Sequence, residues 1–317
     1  MSPLMPPLVP IAATSTERTP LASPDGELVV KLHQRLGQRF RFLARGPLGP
    51  LFVAVWRLFH VSLFLGSRIR LAARWLLSSR ETTNFTYDIT ERNINHICAA
   101  IAVALGEKPE TIRRFADEVL RDEDLARHVI GRTRESPFGG VADPAFRIGR
   151  RVGWYALVRA TKPRVVVETG VDKGLGAVVL CAALLRNGDE DHQGQYYGTE
   201  IKPEGGYLLS GPYAHVGRIL HGDSVRILRD FDRSIDVFIN DSDHSEEYEA
   251  AEYRTIRQKL GPNAVVVGDN AHCTDALWRF SRELEWPFLF VGEEPRDHWY
   301  PGAGIGLCVS PMLGRRV

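Results

Sequence analysis

Cysteine is scarce in this sequence, and the cysteines present are not spaced for metal binding. Cys98, Cys181, Cys273 and Cys308 are far apart and form no C-x-x-C pair. The absence of paired cysteines excludes the common structural zinc sites. Two of the four lie within apolar runs, where a reduced thiol is the ordinary state, so we expect a reducing, cytoplasmic location.

Net charge is almost absent as well. The 40 Lys and Arg residues nearly balance the 39 Asp and Glu residues, which leaves a formal charge of +1. A nucleic-acid-binding domain usually carries a clear basic excess, so we expect no nucleic-acid partner. The 317 residues suggest about two domains, and a hydrophobic content of 44% is sufficient for a buried core.

The amino-terminal part lacks both an ordinary membrane-spanning run and, over a long stretch, any acid. Residues 1–30 begin with a segment rich in Pro, Ser and Thr and are expected to be disordered. Residues 31–80 contain ten basic residues and no acid, and include the apolar run Leu51–Gly66, which Arg57 interrupts. A spanning helix needs ~20 apolar residues. Two interpretations stay open: a basic amphipathic helix on an anionic membrane surface, or a helix that packs on the rest of the chain or on a second subunit of a homo-oligomer.

The segment 165–176 carries the most functional information. It reads Val-Val-Val-Glu-Thr-Gly-Val-Asp-Lys-Gly-Leu-Gly. The β-branched run predicts a buried strand, and the glycines predict a tight turn that brings the backbone close to a ligand at the next helix. The spacing differs from the G-x-G-x-x-G that binds a dinucleotide pyrophosphate. That difference argues against the alternative of an NAD(P)-dependent oxidoreductase.

Strand and helix patterns alternate through the carboxyl-terminal half. Further strands are predicted at 196–201, 216–220, 235–240 and 263–268, and the clearest helix between them is 245–260. This alternation predicts a parallel sheet with helices on both faces. An acid ends or follows each of the five strands: Glu168, Glu200, Asp223, Asp241 and Asp269. Because ligands bind at the carboxyl ends of such strands, we expect these acids to line a ligand site.

Glu168-x-Gly170-x-x-x-Gly174 resembles the cofactor loop of class I S-adenosylmethionine-dependent methyltransferases. Over about residues 150–310 the sequence is similar to the catechol-type and macrocin-type small-molecule O-methyltransferases. The resemblance implies an α/β fold with a doubly wound, mostly parallel seven-stranded sheet (a Rossmann-like methyltransferase fold) over residues 151–317. The strands 287–291 and 304–309 would form an antiparallel hairpin at its edge. Helices predicted at 93–105, 108–120 and 123–131 would make residues 85–150 a helical lid.

The resemblance also implies S-adenosylmethionine as cofactor and assigns residues to it. Glu168, Gly170 and Gly174 would line its methionine end, Glu200 would hold the ribose, and Asp223 with Ser224 would lie beside the adenine. Asp223 is equally suited to capping the next helix. Tyr155 either faces this pocket or belongs to the core.

Oxygen ligands at the last two strand ends suit a magnesium ion. Asp241, Asp269 and Asn270 supply three of them, and the catechol-type enzymes use such a set for Mg²⁺. Asn240 stands where relatives often carry the acid, so the first ligand could be Asp243 instead of Asp241. The simpler alternative is that Asp241 and Asp243 only cap the helix that follows.

A histidine lies three positions after the first of these acids, where the catechol-type enzymes carry a lysine. His244 is a competent general base for a hydroxyl, and His272 is a second candidate on the same rim. A base or a metal is needed when the methyl acceptor is a hydroxyl. The sequence therefore predicts methyl transfer to a hydroxyl of a small molecule. The strand-end acids argue against the other alternative, a non-catalytic membrane-bound scaffold.

Overall fold

The computed structural model describes residues 45–313. The segment predicted to be disordered, residues 1–30, and the beginning of the basic segment, residues 31–44, lie outside the described residues. The chain divides into two compact units, one ending at Ser67 and the other beginning at Arg68.

The first helix, α1 (Gly49–Ser78), has 30 residues, and the boundary between the two units falls within it. It contains the predicted apolar run and no acid. Between residues 45 and 313, no single helix is long and apolar enough to cross a membrane. The pieces Gly49–Leu63 and Leu65–Ser78 meet the criteria of length and composition only when taken together as a bent pair.

Helices fill the segment before the sheet, as the sequence predicts. They are α2 (Glu91–Leu105), α3 (Pro109–Leu120), α4 (Glu123–Glu135) and α5 (Arg151–Thr161). Thr90 caps α2 by accepting from the Asn93 amide, and Gly106 ends it in the left-handed conformation. Asp122 caps α4 in the same way, and that helix runs four residues beyond the predicted end at 131. The sequence pattern predicts a helix around Tyr155 but does not define the bounds of α5.

The main sheet has seven strands in the order β4-β3-β2-β5-β6-β9-β7. The strands are β2 (Val165–Thr169), β3 (Gln195–Glu200), β4 (Gly217–His221), β5 (Ile235–Asn240), β6 (Leu260–Gly268), β7 (Phe288–Gly292) and β9 (Gly304–Val309). The pairs from β4 to β6 are parallel, and β9 is antiparallel to β6 and to β7. The predicted doubly wound α/β sheet with an antiparallel edge hairpin is therefore confirmed, with strand ends within one residue of the prediction except at the start of β6.

Helices cover both faces of this sheet. They are α6 (Leu175–Gly188), α7 (Ser224–Asp230), α8 (Glu246–Ile256) and α9 (Ala276–Leu284). Val166 belongs to the core shared with α2, α3, α5 and α6, while Val165 and Val167 belong to the core shared with α7, α8 and α9. This alternation follows from the period of two along a strand. Because both faces are covered, the central strands are apolar throughout, which is why they were readable in the sequence.

Two features of the fold position the site. First, β2 pairs with β3 on one side and β5 on the other, so that its carboxyl end lies at the topological switch point where doubly wound sheets bind ligands. Second, a short ribbon of β1 (Asp88–Ile89) and β8 (Pro295–Arg296) joins the segment before α2 to the edge hairpin. The sequence did not predict this ribbon.

Candidate active site

A cavity of about 510 Å³ lies at the carboxyl ends of the parallel strands. Its lining includes Gly170 after β2, Glu200 at the end of β3, Asp223 after β4, Asp241 after β5 and Asn270 after β6. A larger open depression of about 670 Å³ lies near the starts of β5 and β6 and contains none of these residues. Three of the five predicted strand-end acids, Glu200, Asp223 and Asp241, line this cavity, whereas Glu168 and Asp269 do not. The cavity at this end of the sheet is the candidate active site.

Gly170 makes the close backbone approach that the sequence predicts. Its φ is +77°, and a Cβ atom built on it would lie 2.0 Å from the carbonyl oxygen of Asp241. No other residue fits such a position, because a side chain there would separate the ends of β2 and β5. Gly174 has a φ of +95° and precedes α6, but it faces Gly206 and does not line the cavity.

Glu168 lies away from the cavity. Its side chain is 1% exposed and accepts a hydrogen bond of 2.5 Å from the Tyr196 hydroxyl. Burial raises the pKa of Glu168 to about 7, although Tyr196 and Arg151 act in the opposite direction. Its carboxylate packs against Gly176 in the first turn of α6, and it does not line the cavity.

Glu200 is held at the cavity by two backbone amides. One carboxylate oxygen accepts from the Asp172 amide at 2.7 Å, and the other accepts from the Lys202 amide at 2.8 Å. Each oxygen keeps a further lone pair, so the carboxylate is fixed in orientation and can still accept from a ligand hydroxyl.

Asp223 performs the alternative role that the sequence left open, and it also lines the cavity. It caps α7 by accepting from the Arg226 amide at 2.8 Å, and its other oxygen accepts from the Tyr248 hydroxyl at 2.8 Å. Ser224 is 5% exposed, and its hydroxyl contacts Tyr248 and donates to Glu252.

Sequence reasoning missed Glu252, which is fully buried on α8. It accepts hydrogen bonds from the hydroxyls of Thr169, Ser224 and Ser242 and from the amide of Asn240. Burial raises its pKa to about 7, opposed by the three hydroxyls. The network ties the ends of β2 and β5 to the start of α7. The side-chain amide of Asn240 therefore serves as a donor to Glu252, which explains why an amide and not an acid stands at this strand end.

Asp241, His244 and Asn270 meet at one rim of the cavity. His244 Nε2 lies 3.7 Å from Asp241 Oδ1 and 2.9 Å from Asn270 Nδ2, while its Nδ1 lies 3.3 Å from Glu249 Oε1. A Nδ1–H bonded to Glu249 leaves the basic lone pair on Nε2. Asp243 is exposed and accepts from the Ser245 amide at 2.7 Å before α8, so Asp241 is the acid of the cluster.

Two other candidate residues lie elsewhere. His272 is exposed and does not line the cavity, and its ring contacts only the neighbouring Cys273 at 3.7 Å among the hydrogen bonds of residues 45–313. Tyr155 is fully buried and donates to Glu118 on α3, so the core interpretation of this residue is correct. Helices α2 to α4 contribute no residue to the cavity; Phe85 and Arg150 are the residues of the segment 85–150 that do.

Arg150 and Arg151 were not anticipated from the sequence. They pair with the two acids that were predicted to bind a metal ion. Asp241, His244 and Asp269 offer ligand atoms within 4.8 Å of one another, which is close enough to consider a metal ion. However, Arg150 donates from Nε and Nη2 to the two carboxylate oxygens of Asp269, and Arg151 lies 3.6 Å from Asp241. Although burial acts against it, the Arg150 guanidinium lowers the pKa of Asp269. The predicted magnesium ligands therefore come together, but this arrangement does not fit Mg²⁺, because Asp269 is already bonded to a cation through both oxygens.

Residues 167–271 match the family model described as a methyltransferase domain. This confirms the resemblance to class I methyltransferases over that part of the chain, which is less than half of it. No curated protein matches this sequence at a significant level.

Solved structures of methyltransferases are similar at low identity. The O-methyltransferase TomG from Streptomyces achromogenes, involved in tomaymycin synthesis and solved with S-adenosylmethionine, is 18% identical over 60% of this chain and 90% of its own, with a TM-score of 0.44. The methyltransferase PaMTH1 from Podospora anserina, solved with S-adenosylhomocysteine, is 15% identical over 69% of this chain and 95% of its own, with a TM-score of 0.40. A methyltransferase from Geobacter sulfurreducens is 17% identical over 49% of this chain and 75% of its own, with a TM-score of 0.36.

Proposed function

We propose that the protein transfers a methyl group from S-adenosylmethionine to a hydroxyl of a small molecule, such as a natural product, a sugar or a lipid. The observation that carries this proposal is the convergence of Gly170, Glu200, Asp223 and His244 on one cavity at the switch point of the sheet. The methyltransferase-domain match over residues 167–271 supports it.

Each of these residues has a task that its geometry suits. Gly170 lets the backbone approach the methionine end of the cofactor, and Glu200 accepts from the ribose hydroxyls with the lone pairs that its two backbone amides leave free. Asp223 and Ser224 lie beside the adenine. Bound S-adenosylmethionine supplies an already activated methyl group, so the alignment of the acceptor oxygen accounts for much of the rate acceleration.

A hydroxyl acceptor must lose its proton as it attacks, and His244 is placed to take it. Glu249 fixes the ring through Nδ1, which presents the Nε2 lone pair to the rim. Asn270 donates to that nitrogen at 2.9 Å, and the acceptor hydroxyl takes the place of this donor when it binds. As the acceptor oxygen took the methyl group, its proton would move to Nε2 of His244.

Cofactor titration tests this function against the NAD(P)-dependent oxidoreductase alternative. Isothermal titration of the full chain with S-adenosylhomocysteine should give saturable binding, and titration with NAD or NADP should give none. Binding of the dinucleotide instead would replace the proposal by the oxidoreductase. Binding of neither would favour the non-catalytic scaffold.

We also propose that α1 binds an anionic membrane surface. It exposes apolar side chains along its whole length: Leu51, Val55, Leu58, Phe59, Val61, Leu63, Leu65, Ile69, Leu76 and Leu77. Exposed apolar surface of this extent is typical of a binding surface. The helix carries four arginines and no acid, and each such charge contributes about 1 kcal/mol near an anionic headgroup layer.

Co-sedimentation with vesicles tests the membrane proposal. The protein should sediment with phosphatidylglycerol-containing vesicles at low salt and be released as salt rises, and pure phosphatidylcholine vesicles should retain less of it. Replacing Arg68, Arg70 and Arg74 with Gln should weaken the binding. Concentration-dependent self-association by light scattering, without vesicle binding, would instead assign the helix to a second copy of the chain.

A further inference from the structure

Asp269 lies at the centre of the residues that would hold a divalent cation, yet it already has a cationic partner. Its carboxylate is fully buried and accepts from Nε and Nη2 of Arg150, whose side chain is 6% exposed. A guanidinium that bonds both oxygens of one carboxylate is the strongest ordinary form of this ion pair. A metal ion on the remaining lone pairs of Asp269 would lie close to this guanidinium, and the two positive charges would repel each other, so the ion and Arg150 compete for Asp269.

Arg150 is itself held firmly in this position. Its Nη1 donates to the Tyr87 hydroxyl at 3.2 Å, and its Nε lies 3.4 Å from Glu293 Oε1. Tyr87 in turn donates to Glu293. These partners come from the segment before β1 and from the segment after β7, so the guanidinium is fixed from two separate parts of the chain and is not a surface side chain that happens to swing inward.

The negative charge of the neighbouring acid, Asp241, also has an arginine partner. Asp241 lies 3.6 Å from Nη2 of Arg151, the residue after Arg150. The Arg151 guanidinium in turn stacks on the Trp154 ring, 5.2 Å from its centroid. With Glu293, which lies 3.4 Å from Nε of Arg150, the cluster contains three carboxyl groups and two guanidinium groups, and each of the three acids has an arginine within 4 Å. A divalent cation added to this set would therefore approach two guanidinium groups at short range.

We propose that Arg150 is the resident cation of this strand-end cluster and stands in place of a divalent metal. The inference rests on the proposed function only for its consequence, which is that methyl transfer at this rim proceeds without Mg²⁺. Arg150 lines the cavity together with Asp241, His244 and Asn270, so its positive charge lies beside the place where the acceptor would bind. In this role it is a positioning residue that polarises the acceptor hydroxyl, while the proton still passes to His244.

Mn²⁺ is a suitable probe because its electron paramagnetic resonance signal distinguishes the free ion from the bound ion, and no acceptor is needed. Titrated with Mn²⁺, the wild-type chain should leave the signal of the free ion unchanged. Arg150→Met removes the competing cation and frees both oxygens of Asp269, so its Mn²⁺ affinity should rise by about tenfold or more. Arg147→Met is the matched control: it removes a guanidinium three residues away that pairs with Asp143 outside the cavity, and it should behave as wild type.

Two results would overturn the proposal. One is Mn²⁺ binding by the wild-type chain that Asp269→Asn abolishes, since the metal would then displace Arg150. The other is the absence of Mn²⁺ binding by a folded Arg150→Met chain, since the cluster would then have no affinity for a cation. If Arg150→Met does not fold, the wild-type and Asp269→Asn titrations decide the question alone. Titration with S-adenosylhomocysteine, run in parallel, fails only if the proposed function is wrong.

Discussion

The backbone of Gly170 and the carbonyl oxygen of Asp241 approach so closely that a Cβ atom at position 170 would lie 2.0 Å from that oxygen. The φ of +77° adds strain for any residue other than glycine. Gly170→Ala should therefore lower the free energy of unfolding by about 2–4 kcal/mol. Urea denaturation measures this. Gly140→Ala, at a position where a Cβ atom meets nothing within 4 Å, should be close to neutral.

Glu200 is expected to determine cofactor affinity. Glu200→Gln replaces one accepting oxygen by a donor, which loses a bond to a ribose hydroxyl and sets an N–H group against a backbone amide. Affinity for S-adenosylhomocysteine should fall by about tenfold or more, since a hydrogen bond to a charged group contributes about 1.5–3 kcal/mol. Isothermal titration checks this, with the exposed Glu204→Gln as a control. Equal affinity in the Glu200 variant would remove it from the site.

His244 and His272 can be separated by a matched pair of variants. His244→Asn should lower turnover by about 100-fold, the usual contribution of a general base, while leaving S-adenosylhomocysteine affinity unchanged. His272→Asn should retain turnover, because that residue does not line the cavity. The assay is formation of S-adenosylhomocysteine with an acceptor found by screening hydroxylated compounds. The reverse pattern would transfer the role to His272.

Most of the fold was predictable from local patterns. Strands such as β2 and β5 are buried on both faces and read as short apolar runs, and an acid with glycines marks the turn after β2. The ribbon of β1 with β8 was not predictable. Each of its strands has two residues, and their partners are about 200 positions apart in the sequence, so no local periodicity records the pairing.

The positions of the acids at the site could be predicted from the sequence, but the residues that pair with them could not. Because parallel strands end at one edge of the sheet, Glu200, Asp241 and Asp269 could be placed there from the sequence. Arg150 could not, since it lies 119 positions before Asp269 and stands among other arginines with nothing to distinguish it. Glu168 fits the cofactor-loop pattern, but its carboxylate accepts from Tyr196. This contact depends on how β3 packs beside β2 and could not be predicted from the sequence.

The final prediction concerns the pH dependence of stability. Burial raises the pKa of Glu168 from 4.5 to about 7, so between these values the folded chain holds a proton that the unfolded chain has released. The folded state binds more protons in this window, so the free energy of unfolding falls as pH rises through it and levels off above about 7. The share of Glu168 is about 3 kcal/mol at most. Glu252, whose pKa is also raised to about 7, adds a decrease of the same sign.

Glu168→Gln isolates the contribution of Glu168 to the pH dependence of the free energy of unfolding. The amide cannot ionise, and its carbonyl oxygen still accepts from the Tyr196 hydroxyl, so the packing under the glycine turn is preserved. In urea denaturation at pH 5.5 and pH 8, the variant should lose less stability than the wild type between the two values, by about 2 kcal/mol. Glu252 contributes to the decrease that remains, together with Asp241 and Glu293, whose pKa values burial also raises. The exposed Glu204→Gln should keep the full wild-type decrease. A variant at Glu168 with the same pH dependence as the wild type would mean that this carboxyl is already ionised in the folded protein near pH 5.5.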